Sequence, residues 1–172
     1  MKSSAVNKQK AWNYWLDAAE QGHSDRFRSC QTVADAGYAR GQFILGYFYQ
    51  QGIGTPADIQ TALRLFHLSA EQGNSDGIER LGECYAGGTG VPMDNNIACR
   101  YFQLAAGMGN MKGQCCLGLC YLNGTGCRQD TELGFRWIMR TVDSCHPVVI
   151  QILQQAGLDV GKLSGGYRQF RQ

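Results

Sequence analysis

The chain repeats itself every 36 residues, and that period constrains its fold more than any other feature. Leu45-Gly46-Tyr47-Phe48-Tyr49 is followed by Gly52-Ile53-Gly54 and Asp58. One period later stand Leu81-Gly82-Glu83-Cys84-Tyr85, Gly88-Thr89-Gly90 and Asp94. A further period brings Leu117-Gly118-Leu119-Cys120-Tyr121, Gly124-Thr125-Gly126 and Asp130. The second half of each unit keeps the register. Ala62, Phe66, Ala70 and Gly73 become Ala98, Phe102, Ala106 and Gly109, and then, more weakly, Gly134, Ile138, Val142 and Cys145. No gap is needed anywhere. A unit this short cannot bury its own apolar faces, so neighbouring units must stack.

Each unit reads as two helices. In the middle unit Gly77, Ile78, Leu81, Gly82 and Tyr85 fall on one side at about 100° per residue. The Gly-x-Gly that follows supplies the positive-φ positions that stop a helix and reverse the chain. Asp58, Asp94 and Asp130 then stand where a second helix needs an N-cap. The second helices carry apolar residues at i, i+4 and i+8, as in Ala98, Phe102 and Ala106. The expectation is an all-α chain with essentially no strand. Its repeats span 37–72, 73–108 and 109–144. Irregular N-terminal helices over 1–36 precede them, with Ala11, Trp15 and Ala19-Glu20-Gln21-Gly22 resembling the end of a further unit. A capping helix over 146–157, with Pro147 at a tolerated first position, and a loose tail over 158–172 follow.

The Leu-Gly-x-x-Tyr, Gly-x-Gly-x-x-x-Asp and Ala-x-x-x-Phe-x-x-x-Ala-x-x-Gly strings resemble the Sel1-like repeat family, relatives of the tetratricopeptide repeats. The resemblance covers about residues 37–145. It implies a right-handed α/α superhelical solenoid whose first helices line a concave groove facing a protein partner. Sel1-like proteins are commonly adaptors in signalling or in bacterial host interaction. The resemblance therefore implies a non-catalytic adaptor or regulator with a dedicated protein partner. An immunity-type protein that neutralises a co-encoded toxin is the alternative. Gly41, Gly77 and Gly113 stand where the family usually has alanine. They should loosen each first helix by up to ~1 kcal/mol unless closer packing offsets it. Some family members carry one disulfide per repeat, which needs two cysteines per unit at fixed slots. That pattern is absent here.

Composition closes off other functions. Sixteen Lys and Arg against 14 Asp and Glu give a net charge of +2, with no basic run. That balance is wrong for a protein that neutralises many phosphates, so no nucleic acid is expected. No apolar stretch approaches the ~18 residues of a membrane helix, and the basic start has no apolar block behind it. No membrane contact is expected, and the cytoplasm is the expected compartment.

The eight cysteines read as reduced and metal-free. Cys84 and Cys120 occupy the slot of Phe48, and Cys127 that of Val91, so they read as small buried hydrophobes. Cys115, Cys116 and Cys120 do not make the four-ligand set of a structural zinc site. No metal or cofactor is expected, with a cysteine-based redox or metal-handling protein as the competing class. His23, His67 and His146 are scattered, and Cys145-His146 would point about 100° apart on a helix. The Gly-x-Gly turns lie between helices and lack the Lys-Ser/Thr of a phosphate cradle. No enzyme signature or small-molecule substrate is left.

What remains is surface. Opposite the packing stripe, the first helix of the first unit presents Arg40, Phe43, Ile44 and Tyr47, an unusually apolar strip. The middle unit presents Asp76, Glu79, Arg80 and Glu83, which looks solvated. The third presents Lys112, Cys115, Cys116 and Leu119. For Phe43, Ile44 and Tyr47, the groove competes with packing under the N-terminal helices.

Overall fold

The structure is a computed structural model and describes residues 24–142 and 151–154. Its helices are α1 (Ser24–Asp35), α2 (Ala39–Gln51), α3 (Ile59–Glu71), α4 (Ser75–Gly87), α5 (Asn95–Gly107), α6 (Met111–Asn123) and α7 (Thr131–Val142). A helical turn covers 151–154, and no strand occurs among the described residues. None of these helices is long and apolar enough to cross a membrane. The fold is all-α helix-pair stacking, as the period predicts. The partial repeat ending at Gly22, the entry to the last helix at Pro147 and the tail over 158–172 lie outside the described residues.

Local chemistry sets the helix ends. Asp58 accepts a hydrogen bond from the Thr61 amide at 3.0 Å and from its hydroxyl at 2.7 Å. Asp94 accepts from the Asn96 and Ile97 amides at 2.8 and 3.0 Å, and Asp130 from the Leu133 amide at 2.9 Å. These are the predicted N-caps of α3, α5 and α7. Gly52 (φ 69°) and Gly124 (φ 66°) end α2 and α6 in the left-handed conformation that a Cβ disfavours.

The first helices have caps of their own, with one exception. Asn74 accepts from the Asp76 amide at 2.9 Å, and Asn110 from the Gly113 amide at 2.9 Å. The equivalent residue before α2 is Tyr38, which makes no side-chain cap and is 51% exposed. Its backbone (φ −73°, ψ 120°) nearly matches that of Asn110 (φ −67°, ψ 117°). Tyr38→Asn should therefore stabilise the protein by about 1 kcal/mol, read as a higher urea midpoint. An unchanged or lower midpoint would refute the equivalence of the three slots.

The chain divides into two compact units, one ending at Gly77 and the other beginning at Ile78. In the first, α1 packs on α2 and α2 on α3. Its core holds Cys30, Ala34, Ile44, Leu45, Phe48 and Leu65, with Phe27, Phe43, Tyr47 and Tyr49 at the edge. The Ser69 hydroxyl, fully buried, donates to the Ala39 carbonyl at 2.6 Å, and Gln72 donates to Gln42 at 2.7 Å. In the second unit, α5 packs on α6 and α6 on α7. Its interior holds Ala98, Cys99, Phe102, Ala106, Leu117 and Cys120. A further cluster joins Cys115, Ile138 and Leu153.

The glycines inside the first helices are places of close approach. A Cβ on Gly113 would sit 2.7 Å from the Ala105 Cβ and 3.1 Å from the Ala106 amide nitrogen. A Cβ on Gly41 would sit 2.7 Å from Val33 Cγ1. Helix propensity lost at these slots is thus exchanged for backbone-to-backbone packing, the offset that the sequence left open.

Candidate functional site

In the second unit, α4 and α6 bring four charged side chains together. Glu79, Arg80 and Glu83 share one side of α4 because residues three and four apart are helix neighbours. Lys112 comes from the first turn of α6. It donates to Glu83 Oε1 at 3.0 Å and stands 3.1 Å from Glu79 Oε1 without hydrogen-bond alignment. Arg80 donates to Glu83 Oε2 at 2.6 Å.

The solvated strip expected here needs correction, because Glu79 is only 3% exposed. Burial, and next the neighbouring Glu83 charge, push its carboxyl up to about 7. Burial works against the charge of Glu83 too, but Arg80 and Lys112 outweigh it and hold that carboxyl below its ordinary range. For Lys112, burial disfavours the charge, and the two carboxylates more than restore it. One carboxyl therefore serves as the anion and its neighbour as the proton carrier.

Beside this cluster lies an open, mostly apolar hollow of about 370 Å³. Glu83, Cys116 and Leu119 of the predicted strips line it, together with Ala86, Asn123 and Thr125. Phe102 and Cys120 form part of its wall. The sequence reading missed Ala86 and Asn123. Continuing each strip by one turn, from Glu83 to Ala86 and from Leu119 to Asn123, would have found them.

The first-unit strip is mixed. Arg40 is exposed, while Phe43 and Tyr47 are half-buried at the edge of the core. The Phe43 ring centroid lies 6.1 Å from that of Phe66. Ile44 is 6% exposed and belongs to the core, so it is a packing residue and not part of a surface strip. Cys115 in the second unit is likewise fully buried, against Ile138 and Leu153. Both positions border the packing stripe, and the next helix closes over them. Half-buried Asp76 is close enough to Arg40 to favour its charge, although burial lowers the guanidinium overall. How far residues 1–23 cover this strip lies outside the described residues.

No group of three His, Cys, Asp or Glu among the described residues is arranged to hold a metal ion. His23, Cys145 and His146 fall outside them, and His67 is half-buried. The described cysteines carry free thiols. Three of these gather in one place: Cys99 and Cys120 are buried in the same cluster, Cys127 packs against it, and burial, with a contribution from the Cys99 thiol, raises both neighbours. Sequence alone placed Cys120 and Cys127 in apolar slots, did not single out Cys99 and did not foresee the cluster.

Comparison with known proteins agrees with the repeat. The Sel1 repeat model matches residues 3–23, 39–74, 75–110 and 112–138. A Sel1 repeat protein from Oxalobacter formigenes is 29% identical, with a TM-score of 0.68, over 77% of this chain and 54% of that one. A protective antigen of uropathogenic Escherichia coli with an SLR fold is 25% identical, with a TM-score of 0.69, over 84% of this chain and 32% of that one. Helicobacter pylori cysteine rich protein B, at 18% identity and a TM-score of 0.53, shares the fold. The chain thus spans about half the length of the first of these proteins and about a third of the second. A search of curated proteins finds no match.

Proposed function

The chain belongs to the Sel1 repeat family, and from that premise we propose that it is a non-catalytic protein-interaction module. The observation that carries the reading is the second-unit hollow. It combines half-buried apolar side chains, Cys116 and Leu119, with a charged rim residue, Glu83, that is already paired with Arg80 and Lys112. Apolar floors of this kind supply most of the energy of a protein interface. Paired rim charges mainly set orientation, association rate and salt sensitivity. In the first unit, Arg40, Phe43 and Tyr47 offer a second surface of similar chemistry.

The test begins with the full chain as bait, identification of the bound protein by mass spectrometry, and its purification. Leu119→Asp should then weaken binding at least tenfold while the helical spectrum and melting temperature are retained. Phe43→Ala with Tyr47→Ala tests the first-unit surface in the same assay. Affinity unchanged in both variants would remove these surfaces from the interface and the proposal with them.

A further inference from the structure

The thiol cluster of the second unit is not something the repeat demands. The slots equivalent to Cys99 hold Leu63 and Phe135, and those equivalent to Cys127 hold Thr55 and Val91. Among the described residues, this unit gathers Cys99 from α5, Cys116 and Cys120 from α6 and Cys127 from the turn after α6 around one cluster. Cysteines that merely fill volume need no sulfur–sulfur contact. Here Cys127 packs on the buried cluster that holds Cys99 and Cys120, near enough for Cys99 to bear on the titration of both.

We propose that Cys127 and Cys99 form a thiol–disulfide exchange site, at which an external disulfide oxidises the pair to a Cys99–Cys127 disulfide. This inference is independent of the partner-binding proposal. Access sets the order of events. Cys99 is 5% and Cys120 8% exposed, whereas Cys127 is half-buried in a turn. An incoming disulfide R–S–S–R therefore meets Cys127 first. After losing its proton to solvent, the Cys127 sulfur attacks one sulfur of the reagent. A Cys127–S–S–R bond forms, the reagent bond breaks, and R–S⁻ leaves and takes up a proton. Cys99 then loses its proton and attacks the Cys127 sulfur, expelling the second R–S⁻. Two protein thiols have lost two protons and two electrons, and the reagent has gained both as two R–SH. The mixed disulfide is short-lived, because its resolving thiol lies in the cluster against which Cys127 packs.

Burial moderates the rate. It raises the Cys127 thiol to about 11, so little thiolate is present at neutral pH, and the site responds to sustained oxidation more than to a brief pulse. The product ties the turn back onto α5 and closes a loop of about 28 residues. A cross-link of that span restricts the unfolded chain and stabilises the folded one.

Cys116 provides an internal control, because it is half-buried on the same cluster but, besides burial, its thiol is acted on by Glu79, Cys115, Glu83 and Lys112, whereas that of Cys127 is acted on by Cys99. The full chain is incubated with oxidised glutathione at pH 8, quenched by alkylation and mapped by peptide mass spectrometry. The expected result is a Cys99–Cys127 cross-linked peptide with no glutathione retained at Cys127, and at most an adduct at Cys116. The melting temperature should rise by about 5–10 °C. Cys99→Ala should trap the glutathione adduct on Cys127 at least tenfold more than the parent chain. Cys127→Ser, at a site in the turn, should leave Cys99 reduced. A lasting adduct on Cys127 of the parent chain, no reaction at Cys127, or a Cys99–Cys120 cross-link as the main product would each overturn the proposal.

Discussion

Replacing Phe102 by alanine should cost about 3–5 kcal/mol of stability, among the largest losses available to any single change here. The ring is 5% exposed and lies against Gly82, where an added Cβ would fall 2.6 Å from its Cε1 atom. The same contact makes a less obvious prediction. Alanine is the better helix former by about 1 kcal/mol, so Gly82→Ala would stabilise an isolated helix. In the folded chain the methyl group must push the ring aside, and overpacking of that kind costs about 1–3 kcal/mol. Gly82→Ala should therefore destabilise the parent protein. In the Phe102→Ala background the obstruction is gone, and the same substitution should stabilise by up to ~1 kcal/mol. Urea unfolding of the four proteins measures the coupling directly. A stabilising Gly82→Ala in the parent would show that the ring does not rest on this glycine.

The second large effect is a pH dependence. In the unfolded chain Glu79 ionises near the ordinary ~4.3, whereas in the fold its carboxyl is held up to about 7. Between those two values the folded state keeps a proton that the unfolded state has lost. Stability from this group therefore falls as pH rises from about 4.5 to 7 and is constant above that window. Glu83 acts in a different range. Its folded value is depressed, so its contribution is present above the unfolded value and is lost only as pH falls below about 4.5.

Glu79→Gln preserves the shape and cannot ionise. Its melting temperature should vary less than the parent's between pH 5 and 7.5. At pH 7.5 it should be the more stable protein by roughly 1–3 kcal/mol. Groups common to both proteins cancel in the comparison. Parallel pH profiles for the two chains would mean that Glu79 is ionised throughout and that Lys112 compensates its burial.

Much of the local structure was legible without coordinates. The Gly-x-Gly turns, the aspartate caps at Asp58, Asp94 and Asp130, and the apolar faces of the helix pairs depend on interactions within a few residues. A recurring 36-residue pattern also requires stacking, since one helix pair leaves an apolar face in water. Asn74 and Asn110 are caps of the same local kind, and the sequence reading passed over them.

The surface was less legible, because a helical position one step from the packing stripe is buried or exposed according to what the neighbouring helix carries. Ile44 and Cys115 sit at such border positions and fall into cores. Glu79 sits at another and is enclosed beside Lys112, which turns an apparently solvated carboxylate into a group that titrates near neutrality. The thiol cluster has the same origin: Cys99 and Cys127 lie 28 positions apart in the chain and meet through the packing of α5 on α6. Sequence by itself determined the period, the helix ends and the need to stack, since hydrogen-bonding reach and helical geometry act over a few residues. Only the tertiary structure decided which side chains lost water and which charges and sulfurs became neighbours, because desolvation and through-space contact depend on residues far away in the chain.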